Sequence, residues 1–145
     1  AAVAYFQATG KRNLLDVAIK FADCIDANFG PEEGKRKDPP GHEEIELALV
    51  KLYGVTNNPK YLKLAEWFIE QRGHTQGRAS NHDYDQDSIP VKDQREIVGH
   101  AARAMSFYCG VADIARITNN QDYFQTMDAY WHIISDLQMY ITACI

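Results

Sequence analysis

Histidine and glutamate residues crowd one short stretch of the sequence, PPGHEEIELALVKLY, at residues 39–53. His42 and Glu46 are four residues apart, so on a helix they would share a face and could bind a metal ion or a polar substrate. The zinc-protease motif HExxH requires a second histidine at position 46, which is glutamate here. The alternative is ordinary helix initiation, because carboxylates in the first turn complement the positive end of the helix dipole. The composition of the stretch leaves both interpretations open.

A second helix start has the same dipeptide. Gly99-His100 repeats the Gly41-His42 pair at the beginning of another apolar helical pattern. Two imidazoles at equivalent helix starts should lie at one rim of the fold, where they could hydrogen-bond to a hydroxyl-rich ligand. The recurrence favours a binding role for both. The remaining histidines lack such a pattern, and we expect them at the surface or in loops: His74, His82 and His132.

The acidic residues of a long loop match a calcium-binding loop only in part. Asp83, Asp85 and Asp87 have the D-x-D-x-D spacing, but Ser88 replaces the glycine expected next and Gln94 the glutamate at the twelfth position. The pattern therefore predicts an exposed acidic loop, with loose contact to a cation or a sugar as the alternative.

Cysteines and aromatic residues are best explained by the core. The three cysteines are odd in number and form no CxxC pair, so we expect buried apolar thiols rather than a zinc ribbon: Cys24, Cys109 and Cys144. Five aromatic residues could stack on sugars, but their helical spacing favours core positions for most of them: Tyr5, Tyr53, Trp67, Tyr130 and Trp131.

Composition excludes several functional classes. The chain has 145 residues, 46% of them hydrophobic, which is sufficient for a domain-sized core. A net charge of -5 provides no basic surface for nucleic acid. No apolar run approaches the roughly 18 residues that a membrane-spanning helix needs. The phosphate-binding and nucleophile motifs GxGxxG, GxxxxGK[ST] and GxSxG do not occur.

The elements that position the candidate residues are helices. Apolar residues recur at spacings of three and four, as at Leu15, Ala18, Ala22 and Ile25, and alternating runs typical of strands are missing. The spacing predicts helices at residues 1–8, 11–29, 42–55, 59–72, 94–117 and 121–137.

Three of these helices end in similar turns, in which a threonine is followed by glycine or asparagine. Aligning Thr9, Thr56 and Thr118 places apolar or aromatic residues at the same offsets after each threonine. The repeating unit is a helical hairpin, the unit of solenoids and helical toroids. The first unit holds only the end of its first helix, so residues 1–145 are expected to be a single incomplete segment of a larger ring or array. The remainder of that domain is its expected partner.

Five sequence blocks then indicate a family: QATGKRNLLDVAIKFAD, PGHEEIELALVKLYGVT, YLKLAEWFIEQRG, IPVKDQREIVGHAARAM and MYIT. In this order they resemble glycoside hydrolase family 127 and its relatives such as family 146, bacterial β-L-arabinofuranosidase-like proteins. The resemblance implies an all-α catalytic domain in which antiparallel hairpins form an (α/α)6 barrel. It also implies hydrolysis of terminal L-arabinofuranosides, with an L-arabinofuranose-containing glycan as the carbohydrate partner.

The resemblance also implies the roles of individual residues. First helices of the hairpins would form the inner ring of the barrel, so substrate binding is expected of His42 and His100, together with Glu43 and Gln86. The family's retaining mechanism uses a cysteine nucleophile in a zinc site of one glutamate and three cysteines, with a separate glutamate as acid/base. Those residues belong to a block resembling Y-x-E-T-C-A beyond MYIT. We therefore expect no catalytic residue, metal ligand or cofactor in this segment, zinc in the full-length family, and no activity of the segment alone.

Departures from the family pattern and two alternatives remain. Ser88 stands where many members have histidine, Asp93 where they have glutamate, and Ala143-Cys144 where they have two glycines. One alternative is another (α/α)6 carbohydrate enzyme, of the unsaturated glucuronyl hydrolase or sugar epimerase type, which would require a carboxylate pair elsewhere. The other is a non-catalytic helical-repeat binding module, which would require polar capping helices, whereas residues 1–6 are mostly apolar.

Overall fold

The protein is all-α in a computed structural model that describes residues 1–74 and 82–140. The predicted fold class is confirmed, since these residues contain no β-strand. A 3-10 turn lies at Asp83–Asp85, and a short π-helix, Ile134–Gln138, continues the last α-helix. The α-helices are α1 (Ala2–Thr9), α2 (Asn13–Asn28), α3 (Ile45–Thr56), α4 (Pro59–Gln71), α5 (Ala101–Thr118) and α6 (Gln121–Ile133).

The three threonine turns have one geometry, as the repeat predicts. Each threonine hydroxyl donates to the carbonyl four residues earlier, at 2.7 Å for Thr9 and 2.8 Å for Thr56 and Thr118. The residue after each threonine ends the helix in the left-handed conformation that glycine and asparagine tolerate. These residues are Gly10, Asn57 and Asn119, with φ of 70°, 53° and 55°.

The helices pack as antiparallel hairpins in two layers. Helices α1, α3 and α5 lie side by side in one layer, α2 packs against α4 in the other, and α6 packs against α5. The starts of α3 and α5 and the end of α4 therefore lie at the same end of the fold. Fully buried apolar side chains fill the space between the layers, among them Leu15, Leu49, Phe68, Ile69, Phe107 and Ile114.

The fifth helix begins later than the sequence predicts. We expected a helix over 94–117, but α5 begins at Ala101. The cause is the buried side chain of Gln94, whose Nε2 donates to two loop carbonyls and whose Oε1 accepts from the hydroxyls of Tyr108 and Tyr130 at 2.9 and 3.2 Å. These tertiary contacts outweigh the local helical preference of the segment.

Some large apolar side chains are exposed. Phe21 on α2 is 71% exposed and Trp131 on α6 is 64% exposed, so the core position predicted for Trp131 is wrong. An open apolar groove of about 800 Å³ lies between α1, α2 and α3. None of the described helices is long and apolar enough to cross a bilayer. The other four aromatic residues are buried or half-buried, as expected: Tyr5, Tyr53, Trp67 and Tyr130.

Candidate functional site

One end of the layers carries a polar rim that brings both histidine segments together. We define the rim by four residues, of which three are exposed and Arg103 is half-buried: His42, Tyr84, His100 and Arg103. The Tyr84 and His100 rings meet edge to face at 5.6 Å, and the Arg103 guanidinium lies 4.8 Å above the Tyr84 ring. Arg103 Nη1 also donates to the carbonyl of Gly41 at 2.6 Å, directly beside His42. A cation, aromatic faces and imidazoles thus lie on one accessible surface.

His100 is the N-terminal capping residue of α5. The Gly99-His100 pair therefore marks a helix start, as its likeness to Gly41-His42 predicts, although the helix was expected to begin at residue 94. The His100 backbone N–H donates to the carbonyl of Tyr84 at 3.1 Å. Gly99 before it has φ 84°, and a Cβ at that position would lie 2.1 Å from the Asp83 carbonyl oxygen and 2.7 Å from the Gln86 side-chain nitrogen. Glycine is required there because the turn at Asp83–Asp85 packs directly against the start of α5.

His42 lies just before α3 instead of on its first turn. The helix begins at Ile45 with Glu44 as its N-terminal capping residue, so the predicted start at 42 is early. Gly41 has open space where Gly99 meets backbone. The two Gly-His pairs therefore share a location, the rim, without sharing a local geometry.

Beneath the rim lies a buried charged cluster, which consists of Glu43, Glu46 and Arg72, all with 0% side-chain exposure. Arg72 Nη2 is 3.2 Å from Glu46 Oε1, and Arg72 Nη1 is 3.7 Å from Glu43 Oε1. Glu46 lies in the first turn of α3, as helix initiation predicts, but both carboxylates face an arginine in the interior rather than solvent. Arg103, 4.0 Å from Glu43 Oε2, connects the buried charged cluster to the rim.

Burial shifts the titration of both carboxyl groups. Desolvation raises the pKa of Glu43 above its usual range, and the positive charges of Arg72 and Arg103 offset part of this effect. Desolvation likewise raises the pKa of Glu46, opposed by the charge and hydrogen bond of Arg72 and by the nearby His42. Both carboxyl groups therefore hold a proton to higher pH than an exposed glutamate does.

Two of the four predicted substrate-binding side chains are not accessible. Glu43 is 0% exposed and Gln86 is 1% exposed, so neither can touch a ligand on the rim from its present position. Gln86 Nε2 instead donates to the carbonyl of Val98 at 2.7 Å, which attaches the turn to the segment before α5. His42 and His100 are exposed, and direct contact stays a prediction for these two.

The aspartates of the acidic loop differ in burial, so the predicted exposed loop is correct only in part. Asp83 is exposed, Asp85 is half-buried and Asp87 is 3% exposed. The Asp87 carboxylate accepts a hydrogen bond from the Gly73 N–H at 3.0 Å, which gives it a structural role. The two nearby departures from the family pattern are Ser88, half-buried, and Asp93, exposed.

The described cysteines do not form a metal site. Cys24 on α2 and Cys109 on α5 are both exposed, so the prediction of buried thiols is wrong for them. Ala143 and Cys144 lie outside the described residues. Across residues 1–74 and 82–140, no group of three or more His, Cys, Asp or Glu side chains is placed to hold a metal ion. These residues do not fit a zinc site of one glutamate and three cysteines.

Sequence reasoning missed Tyr84, Arg103 and Arg72. Arg72 is 26 residues from its partner Glu46, and no local pattern marks which arginine a buried carboxylate will pair with. A weak signal existed for Arg103, which follows His100 by three residues, roughly one helical turn, and so projects near it. Tyr84 had only its position between two aspartates to single it out.

Two layers of antiparallel hairpins with a polar rim at one end define the class of this protein, an all-α fold of repeated helical hairpins. Residues 1–145 match the family described as "Beta-L-arabinofuranosidase, GH127 catalytic domain". The chain belongs to glycoside hydrolase family 127. This assignment confirms the resemblance and separates the chain from the glucuronyl hydrolase and epimerase types.

Similar proteins carry the same family name. The whole chain is 42% identical to a non-reducing end β-L-arabinofuranosidase of Bifidobacterium longum subsp. longum. The crystal structure of a family 127 β-L-arabinofuranosidase from Geobacillus stearothermophilus T6 superposes on 97% of the chain with a TM-score of 0.90 and 42% identity. Another family 127 β-arabinofuranosidase structure gives 0.91 and 46% over the same share. The chain spans only 25%, 25% and 22% of these proteins, respectively.

Proposed function

We propose that residues 1–145 form one incomplete segment of the catalytic barrel of a longer enzyme, called here the complete polypeptide. This enzyme would remove terminal β-L-arabinofuranose from a glycan. The match of the entire chain to a family 127 catalytic domain carries the proposal. The match is to a catalytic domain, which also argues against a non-catalytic repeat module.

In this proposal the rim forms part of the sugar pocket. The exposed imidazoles of His42 and His100 would hydrogen-bond to hydroxyl groups of the sugar, and the Tyr84 ring would offer an apolar face. Glu43 and Gln86 would support the rim from beneath, because both are buried. The nucleophile, the acid/base and the zinc ligands would come from parts of the enzyme outside this chain.

The experiment is hydrolysis of an aryl β-L-arabinofuranoside by the complete polypeptide. We expect His42→Ala and His100→Ala each to lower kcat/KM by roughly five- to tenfold, the size of one net hydrogen bond. His132→Ala is the matched control, since this exposed histidine near the end of α6 is not one of the four rim residues, and the change should leave kcat/KM unaltered.

Either of two results with the complete polypeptide would contradict the proposal. One is a complete polypeptide that cleaves no β-L-arabinofuranoside. The other is a pair of rim variants that behave like His132→Ala. The isolated segment should be inactive in the same assay, so any turnover by residues 1–145 alone would also contradict it.

A further inference from the structure

Arg72 is the most completely buried cation of the described chain and has no role in the function proposed so far. It follows α4 directly and has 0% exposure. Its guanidinium contacts the ring of Phe107 on α5, 5.1 Å from Cζ to the ring centroid. A charge in such a position is retained only where several partners compensate for the loss of water.

The hydrogen-bond acceptors of Arg72 lie in two loops and at the start of α3. Nη2 donates to the carbonyl of Pro40 at 3.1 Å and to Glu46 Oε1 at 3.2 Å, which are both in the segment around the start of α3. Nη1 donates to the carbonyl of Asp85 at 2.7 Å, in the turn after the long loop. One planar group therefore holds backbone from both loops, and the fork of an arginine, whose donors are spread over two terminal nitrogens, suits acceptors this far apart better than the single nitrogen of a lysine.

Both loops carry residues of the rim. Pro40 is two residues before His42, and Asp85 directly follows Tyr84. Through the hydrogen bond from the His100 N–H to the Tyr84 carbonyl, the second loop also fixes the start of α5. Displacement of the guanidinium would release both sides of the rim together.

The adjoining glycine strengthens this attachment. Gly73 has φ 81°, and a Cβ there would lie 2.0 Å from the nitrogen of Pro90, so the chain after Arg72 packs directly on the same loop. The Gly73 N–H donates to the Asp87 carboxylate at 3.0 Å and to the Asp87 carbonyl at 3.2 Å. Arg72 and Gly73 thus form one attachment point for the turn that carries Tyr84.

We propose that Arg72 is a positioning residue that clamps the two loops of the rim in the arrangement that binds the sugar. The role in sugar binding rests on the proposed function, whereas the clamping of the loops does not. A loop that is held by one buried group loses its order when the group is removed, while the distant helices keep theirs.

The first test measures hydrogen–deuterium exchange in the complete polypeptide. In Arg72→Met and Arg72→Lys, we expect amide exchange in segments 38–46 and 82–87 to rise by about tenfold or more, with α1 and α2 unchanged. Arg116→Met is the matched control, because Arg116 is an exposed arginine of α5 that pairs with Asp113 at the surface. Unchanged exchange in either loop would overturn the clamp.

Removal of a buried charge can also unfold a protein, since it leaves the carboxylates of the cluster uncompensated. The double variant Arg72→Met with Glu46→Gln removes one of the two stranded carboxylates, leaves Glu43 with Arg103 at 4.0 Å, and keeps the clamp broken. In this double variant, α1 and α2 should exchange at the rates of the unmodified protein, whereas the two loops should still exchange faster. Recovery of the loops in this variant would overturn the proposal, because charge balance alone would then explain the effect.

The second test measures kinetics on an aryl β-L-arabinofuranoside. Loss of positioning should raise KM by about fivefold or more, the size of one or more lost net hydrogen bonds, and Arg72→Lys should not rescue it. An unchanged KM in variants with mobile loops would overturn the positioning role. If the unmodified polypeptide does not cleave the substrate, the proposed function fails, while the exchange experiment still decides whether Arg72 clamps the loops.

Discussion

Glu43 is completely buried, and no side chain donates a hydrogen bond to its carboxylate within the described part of the chain. The charged groups that face it are Arg72, Arg103 and Asp85. Desolvation raises its folded-state pKa, whereas in the unfolded chain it ionises near the ordinary value of about 4.3. Above that pH, the glutamate of the unfolded chain is ionised while the folded protein still holds the proton. The free energy of unfolding therefore falls with rising pH until the folded-state pKa is passed.

Glu43→Gln should remove this loss. The free energy of unfolding of the variant, relative to the unmodified protein, should rise with pH from about pH 4.3 until the folded-state pKa is passed, by about 1.4 kcal/mol for each pH unit that separates the folded and unfolded pKa values. Denaturant unfolding of the complete polypeptide across this range measures it. Glu33→Gln changes an exposed glutamate of a loop outside the buried charged cluster and is the matched control. A pH-independent difference for Glu43→Gln would show that Glu43 is ionised in the folded protein throughout.

For individual residues, the sequence predicted which exposed side chains lie together better than it predicted burial. The recurrence of Gly-His identified the two exposed histidines of one rim. The burial of Glu43 and Glu46 could not be predicted, because it depends on Arg72, which the fold brings from the far end of the next helix. Pairing across such a separation has no local signature in a single sequence.

Helices α3 and α5 approach each other closely at a glycine. A Cβ at Gly110 of α5 would lie 3.1 Å from the backbone nitrogen of Leu47 and 3.3 Å from the Cβ of Glu46, whereas a Cβ at Gly54 of α3 would meet nothing within 4 Å. Alanine favours either helix over glycine by about 0.5–1 kcal/mol. Gly54→Ala should therefore stabilise the complete polypeptide by that amount. Gly110→Ala should be less stable than Gly54→Ala by about 1–3 kcal/mol, because the added methyl group separates the helices.

Denaturant unfolding of both variants measures the difference. Since each substitution makes the same change in helix propensity, the comparison isolates the packing of α3 on α5. Equal effects would mean that the two helices can separate without cost. The buried carboxylate of Glu46 lies at this crossing, so Gly110→Ala should also raise KM if the rim binds the sugar.

Helices were predictable where the local pattern and the tertiary contacts agree. The threonine turns combine a side-chain hydrogen bond with a left-handed glycine or asparagine, and all three occur where the sequence placed them. Residues 94–100 show the opposite case. Their composition suits a helix, but Gln94 is held by Tyr108 and Tyr130, and Gly99 adopts φ 84°. A buried amide that bonds to another helix is not visible in periodicity.

At the scale of the whole molecule, two observations concern how the chain fits into a longer barrel: its exposed apolar surface and the length of its relatives. Val17 and Phe21 on α2 are 59% and 71% exposed, and they line the same open groove. The chain spans about a quarter of the relatives it matches. In the complete barrel of the proposed function, a neighbouring hairpin would cover an apolar face of this kind.

Phe21→Ser distinguishes a covered face from a free one. In the isolated chain, where the ring is exposed, the substitution should change the free energy of unfolding by less than about 0.5 kcal/mol and should reduce the binding of a hydrophobic dye. In the complete polypeptide, where we expect the ring to be buried against the rest of the barrel, it should cost about 3–5 kcal/mol. Lys20→Ser, an exposed polar position on the same helix, controls for changes in helix propensity. Only burial of Phe21 by another part of the enzyme makes the change in the free energy of unfolding larger in the complete polypeptide than in the isolated chain. Equal changes in the two proteins would show that this face stays open and that the barrel closes elsewhere.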